Sequence, residues 1–357
     1  MASTKEKPAQ RVAGFFVTLY QQLGLPRLII TSFVLLLFVL AAIMKMDLTI
    51  LIGDSLVRIG MNGVLALSML PTIACGVGLN FGLPVGVIAG LVGAVLSMNW
   101  NLQGFAGFLT AILIALPIAM VAGYIYALIL ERVQGQEMMV GTYVGFSVVS
   151  AMCMFWLLAP IKNPAMIFAI GGQGLRYTIT LDKTFAKVLN NFLAFDFLGV
   201  PIPTGLLLFF ALLCVLMSLF FRSRAGLAMR TAGSNPMFAK SSGISVRYMK
   251  MWGVIISTML AAVGIIVYSQ SYGFVQLYTA PLYAAFPAVA SVLIGGATLK
   301  RATVGNAIIG AVLFHTLLTI ALPVTQTALR GADISEVARM IISNGMILYA
   351  LTRAERR

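Results

Sequence analysis

An all-α membrane protein of about ten transmembrane helices, some of them broken near the centre, is predicted by this 357-residue sequence. Three observations lead there. Hydrophobic residues make up 60% of the chain and charged ones only 10%, with a mean hydropathy of +1.00, outside the composition of water-soluble domains. Apolar runs of spanning length recur from Leu28 onward, since a hydrocarbon core of ~30 Å needs about 20 helical residues. The basic residues are gathered in segments that one topology puts on a single side, which accounts for most of the formal +14 and removes the case for a nucleic acid partner.

Residues 1–26 carry Lys5, Lys7 and Arg11 against Glu6 and read as a cytoplasmic segment, with an amphipathic stretch at Val12–Leu23 suited to headgroups. The transmembrane region is expected over 27–352 and a cytoplasmic tail over 353–357. The first apolar run starts only at Leu28 and is long enough to span, so no cleavable signal is expected. From Ile50 to Gly78 the pattern is apolar but broken by Gly53, Gly60, Gly63, Pro71 and Gly76, a poor straight helix. Asp54 and Arg58, four apart near its start, are placed to pair.

Gly76 to Gly86 is too rich in Gly and Pro to continue either neighbour. Unwound backbone at membrane depth is tolerated only where it is buried in protein or lines a cavity, so Gly78, Asn80, Phe81, Gly82 and Gly86 are candidates for a solute pathway. An interfacial turn with Asn80 among the headgroups fits the same residues. Long helices follow at 104–131 and 138–158, the second with Gly141 and Gly145 at a close-packing spacing. Residues 160–203 form a polar excursion of mixed charge, which can cross the membrane without obeying the charge bias and is placed outside.

A span over Thr204–Phe221 delivers the chain to residues 222–250, where Arg222, Arg224, Arg230, Lys240, Arg247 and Lys250 occur without one acid. Such a loop belongs on the cytoplasmic side. Within it Asn235 suits a helix cap, Pro236 the first helical position and Gly243 the stop, so a short helix is expected at Met237–Ser242. Its small residues, Gly233, Ala239 and Gly243, leave room for another surface. On composition alone a solvated basic loop with a Pro-Gly turn is the favoured reading of the segment.

The run from Gly233 to Val246 resembles the G-x-N-(P/x)-x-A-A-x-x-x-G-I-x-V loop of permease subunits in the ABC importer family for monosaccharides, nucleosides and branched-chain amino acids. The resemblance implies a type II ABC importer-like fold in which this loop is the coupling helix seated on an ATPase subunit. Gly233, Asn235, Pro236, Ala239, Gly243 and Ile244 would carry that contact, while Phe238 stands where the first alanine is expected. Asn80-Phe81-Gly82 and Glu137 with Thr142 resemble elements of nucleoside-type members. Gly199 to Pro203, and Gly295 to Gly305 with its Gly295-Gly296 turn, resemble sugar-type ones, although Lys300 and Arg301 fall where glycines are expected. Gly295 and Gly296 join the pathway candidates on that basis.

Further spans are expected at 251–271, 281–298, 303–322 and 337–351, with both ends cytoplasmic. Pro84 to Leu96 and Thr303 to Leu313 echo one another faintly, as two repeats around a path would. No catalytic residue is assigned. No phosphate-loop motif occurs, so the chain is expected to bind no cofactor itself, with ATP and Mg on a partner ATPase. Cys75, Cys153 and Cys214 lie in apolar runs as packing residues, and His315, the single histidine, has no acidic neighbour, so no metal site is expected.

The resemblance therefore implies a bacterial inner-membrane permease subunit importing a small polar solute, a monosaccharide or a nucleoside. Its partners would be an ABC ATPase, an extracytoplasmic solute-binding protein, a second permease copy or homologue, and the bilayer. An ion-coupled secondary transporter and a membrane scaffold are the alternatives.

Overall fold

The computed structural model describes residues 25–133, 135–161, 163–168, 174–328, 340–341 and 344–345. Helix α1 (Leu25–Ile43) turns into α2 (Leu48–Ser68) at Asp47, whose Oδ1 accepts from the Thr49 hydroxyl at 2.6 Å and the Thr49 amide at 3.0 Å. Those hydrogen bonds, the hydroxyl first, hold the carboxyl below its ordinary range. Pro71 brings no amide donor and would crowd the carbonyl of Leu67, so α2 breaks at Met69 and a separate turn, α3 (Leu70–Ala74), follows. The glycine- and proline-punctuated run thus becomes two helices, as its composition suggests.

Next come α4 (Pro84–Asn99), α5 (Gly104–Glu131) and α6 (Glu137–Leu158). The excursion at 160–203 holds β1 (Thr178–Thr180), α7 (Val188–Asn191), β2 (Phe195–Phe197) and β3 (Val200–Ile202). The remaining elements are α8 (Thr204–Arg222), α9 (Arg224–Ser234), α10 (Pro236–Ser241), α11 (Val246–Tyr272), β4 (Phe274–Gln276), α12 (Ala280–Tyr283), α13 (Ala285–Ile294) and α14 (Val304–Ala328). β1 pairs antiparallel with β4 and β2 with β3, so the excursion is clamped over the far end of α11. Gln270 reinforces this clamp, its Oε1 accepting from the Leu189 amide at 3.2 Å and its carbonyl from the Lys187 amide at 2.7 Å. These short strands are the exception to an otherwise all-α architecture.

Among the described residues six helices are long and apolar enough to cross a membrane, and three shorter apolar helices accompany them. The expected ten spans are therefore not reached among the described residues. The expected amino-terminal segment (1–26, beyond Leu25 and Pro26), the tail at 353–357 and most of the last expected span, 337–351, lie outside them. Helix α4 explains why short helices suffice: its 16 residues rise only about 24 Å, but 13 of them are buried, so protein rather than lipid surrounds it.

Packing follows a two-fold pattern. Helix α11 lies against α4 and α5, and α2 lies against α13 and α14, while α2 and α11 meet at the centre. The echo between residues 84–96 and 303–313 joins α4, which packs on α11, and α14, which packs on α2. The expected Asp54–Arg58 pair is not formed; among the described residues the ion pairs are Arg247–Glu131 and Lys250–Glu137.

Candidate functional site

The polar segment between α8 and α11 is more ordered than its composition suggests. Ser223 caps α9 by accepting from the Gly226 amide, adding a helix that the basic residues had concealed. Asn235 ends α9 and starts α10, its Oδ1 accepting from the Phe238 amide at 3.0 Å, with Pro236 in the first turn. Gly243 closes the helix at φ +77°, where Ile244 donates back to the Ala239 carbonyl at 2.9 Å. Five of the six residues singled out in the loop, Asn235, Pro236, Ala239, Gly243 and Ile244, thus build it locally.

Their side chains do not all face outward. Ala239 is fully buried within the chain, whereas Met237 is 81% and Phe238 58% exposed. The free face of α10 therefore carries the apolar Met237 and Phe238 beside the exposed Lys240 and Ser241, and not the small residue Ala239. The start of α11 is tied to the ends of α5 and α6 by Arg247–Glu131 and by Lys250–Glu137, the latter at 3.3 Å. Arg247 is largely exposed, so the first pair contributes at most about 1 kcal/mol.

At the end of α9, Gly233 lies directly on the break after α3. A Cβ on Gly233 would stand 2.2 Å from the Ala74 carbonyl oxygen and 2.7 Å from the Gly76 nitrogen. Only a residue without a side chain permits that approach. Beyond it the chain runs unwound to Leu83, and Gly76 and Gly78 have φ of +80° and +95°.

Asn80 anchors this unwound stretch inside the bundle. It is 2% exposed; its Nδ2 donates to Ser257 Oγ of α11 at 2.8 Å, and its Oδ1 accepts from the Tyr126 hydroxyl of α5 at 3.1 Å. The Tyr126 ring occupies a slot that glycines create, since a Cβ would meet it 2.3 Å away at Gly82 and 2.6 Å away at Gly141. Gly86 abuts the Thr258 carbonyl, Gly78 faces Met138, and Phe81 packs beside Phe286. Gly295 and Gly296 form a turn whose first carbonyl accepts from Arg27 and from Asn306 Nδ2. Tyr126, Ser257 and Arg27 carried no local signal, because each acts across a long sequence separation.

A cavity of about 260 Å³ opens between α2, α11, α12, α13 and α14. Its polar walls are Asn62, Tyr268, Gln276, Thr279, Tyr283 and His315, and none of its lining residues is charged. Asn62 donates to the Arg58 carbonyl, and Thr279 accepts from the Tyr177 hydroxyl at 2.7 Å. His315 is 4% exposed, and its buried Nε2 has no hydrogen-bond partner among the described residues. The seven glycine-turn candidates are not among the cavity's walls.

A family model described as "Branched-chain amino acid transport system / permease component" matches residues 51–351, most of the chain. The chain belongs to that family. It is a permease component of an ABC transporter and a multi-pass membrane protein, built on the type II importer plan. No curated protein and no solved structure matches the chain. Permeases of this kind work with an ATPase and a solute-binding protein.

Proposed function

We propose that this permease forms the translocation pathway of an ATP-driven importer for an uncharged polar solute, a monosaccharide or a nucleoside. The observation that carries the reading is the backbone contact between Gly233 and Gly76, which joins the docking segment to unwound chain inside the bundle. An ATPase subunit, holding ATP and Mg, grips α10 through Met237 and Phe238, with Gly233, Asn235, Pro236, Ala239, Gly243 and Ile244 fixing its shape. Force on α10 reaches Gly76 through α9 and moves the stretch that bears Gly78, Asn80, Phe81 and Gly82. That stretch is the gate beside the path, and the cavity is the room it opens. Gly86 and the Gly295–Gly296 turn hold the helices that border it.

The basic ends, Arg222 to Lys250 and Lys300 with Arg301, then face the cytoplasm of a bacterial inner membrane. The clamped excursion at 160–203 faces outward and receives the solute-binding protein. A second copy, or a homologous permease, completes the pathway. The family description favours a second reading, a branched-chain amino acid. A zwitterion leaving water needs paired charges, and the cavity offers only uncharged walls.

Uptake into proteoliposomes decides among these. Adenosine, ribose and leucine are presented with the permease alone under an ion gradient, then with its ATPase and binding protein plus ATP. Uptake only in the complete system, of ribose or adenosine, is expected. Leucine uptake would select the second reading, and uptake by the isolated chain would replace the importer with a secondary transporter.

A further inference from the structure

Lys300 and Arg301 take no part in the path or in the docking helix, yet they are held in a defined place. The turn carrying them is closed by the Thr298 amide on the Arg301 carbonyl at 2.8 Å and by the Arg301 amide on Thr298 Oγ1 at 3.0 Å. It faces α9 across a hollow of about 420 Å³ whose walls include Arg230, Thr231, Ser234, Lys300, Arg301 and Thr303. A second hollow of about 240 Å³ shares Arg230 and Thr303 and adds Arg222 and Ser218.

Four cations from three elements thus line this recess of two adjoining hollows that share Arg230 and Thr303, and no acidic side chain lines either one. Among the described residues none of the four is in an ion pair. The first turn of α14 begins at the same spot, which adds the positive end of a 25-residue helix. The Thr231 and Ser234 hydroxyls already donate to the Leu227 and Thr231 carbonyls of α9, which leaves Ser218 as the neutral hydroxyl donor among these walls. Such a recess suits a phosphate-bearing anion.

What lies above it identifies the source. Helices α8 and α14 touch, and both present apolar side chains outward next to the recess: Leu216 and Leu219 on α8, Ile308 and Val312 on α14. Arg222 sits one turn beyond Leu219, so a headgroup in the recess continues directly onto an apolar two-helix surface. We propose that this recess is a specific site for an anionic phospholipid, its phosphate among Arg222, Arg230, Lys300 and Arg301 and its acyl chains along α8 and α14. Because Ala74 also lines the hollow, the bound headgroup braces α9 beside the Gly233 contact.

The test is native mass spectrometry of the full chain released from phosphatidylcholine nanodiscs that contain increasing fractions of phosphatidylglycerol. A saturable, single retained phosphatidylglycerol is expected. Arg230→Ala with Arg301→Ala should weaken its retention about tenfold, and Arg301→Lys should keep it. Arg132→Ala removes an exposed cation after α5, near the docking segment but outside the recess, and should leave retention unchanged. Equal retention of phosphatidylcholine, or an equal loss with Arg132→Ala, would reduce the effect to diffuse surface charge and overturn the site. Inorganic phosphate binding as tightly in pure phosphatidylcholine nanodiscs would overturn the lipid assignment. Should the double variant fail to fold, the wild-type titration and the Arg301→Lys comparison still decide the outcome.

Discussion

Gly76 and Gly233, 157 positions apart, meet backbone to backbone: a Cβ built on Gly76 would lie 2.9 Å from the Cα of Gly233. The contact makes the basic segment and the break after α3 one mechanical unit, and it sets the first expected outcome. Gly233→Ala should destabilise the permease by about 1–3 kcal/mol, because carbonyl oxygens in packed backbone cannot retreat from the added methyl. Gly76→Ala meets the same crowding and adds strain at φ +80°. The thermal midpoint in detergent should fall, and in the assembled transporter ATP hydrolysis should persist with less uptake. An unchanged midpoint in both variants would show that the contact is loose.

Tyr126→Phe removes the hydroxyl that donates to Asn80 and leaves the amide oxygen buried without that partner. Interhelical hydrogen bonds of this kind contribute roughly 1 kcal/mol. Asn80→Leu strands both Tyr126 and Ser257 and should cost more, about 2–3 kcal/mol. Unfolding in mixed micelles measures both, and a double-mutant cycle giving no coupling between positions 80 and 126 would dissolve the node.

Docking is expected to follow the exposed face of α10 and not its small residues. Phe238→Asp and Met237→Asp should abolish co-purification of the ATPase while leaving membrane insertion and thermal stability intact. Ala239→Arg should lower stability as well, since that position is fully buried. Co-purification of the Phe238 and Met237 variants at wild-type yield would move the docking surface elsewhere.

His315→Leu withdraws the one buried ring nitrogen on the cavity wall and should slow uptake roughly tenfold, the equivalent of one hydrogen bond to the passing solute. His315→Gln keeps a polar group at a similar reach and should restore most of the rate. Initial-rate uptake with the complete transporter provides the measurement, and equal rates for the Leu and Gln variants would remove His315 from the path.

Local features were readable because their causes lie within a few residues. The spans at 104–131 and 204–222 end within a residue of their apolar runs, and the Asn235, Pro236 and Gly243 signals mark the ends of α10. Helix α9 was concealed for the opposite reason. Its buried residues Gly226, Met229 and Ala232 are scattered among Arg and Thr, and they become a packing face only when α8, α3 and α11 are present to receive them. The outward direction of Phe238 and the inward direction of Ala239 likewise depend on what α10 rests upon.

Hydrophobicity, charge bias and turn chemistry are properties of neighbouring residues, and they were enough to specify a polytopic helical membrane protein with a capped helix in its basic segment. Which polar groups meet was decided by the tertiary structure alone. Asn80 finds Ser257 across 177 positions, Tyr126 fills a slot between two glycines, and His315 reaches a cavity whose other walls come from four further helices. A buried hydrogen-bonding group must find its partner wherever packing brings one, and packing is a property of the whole bundle.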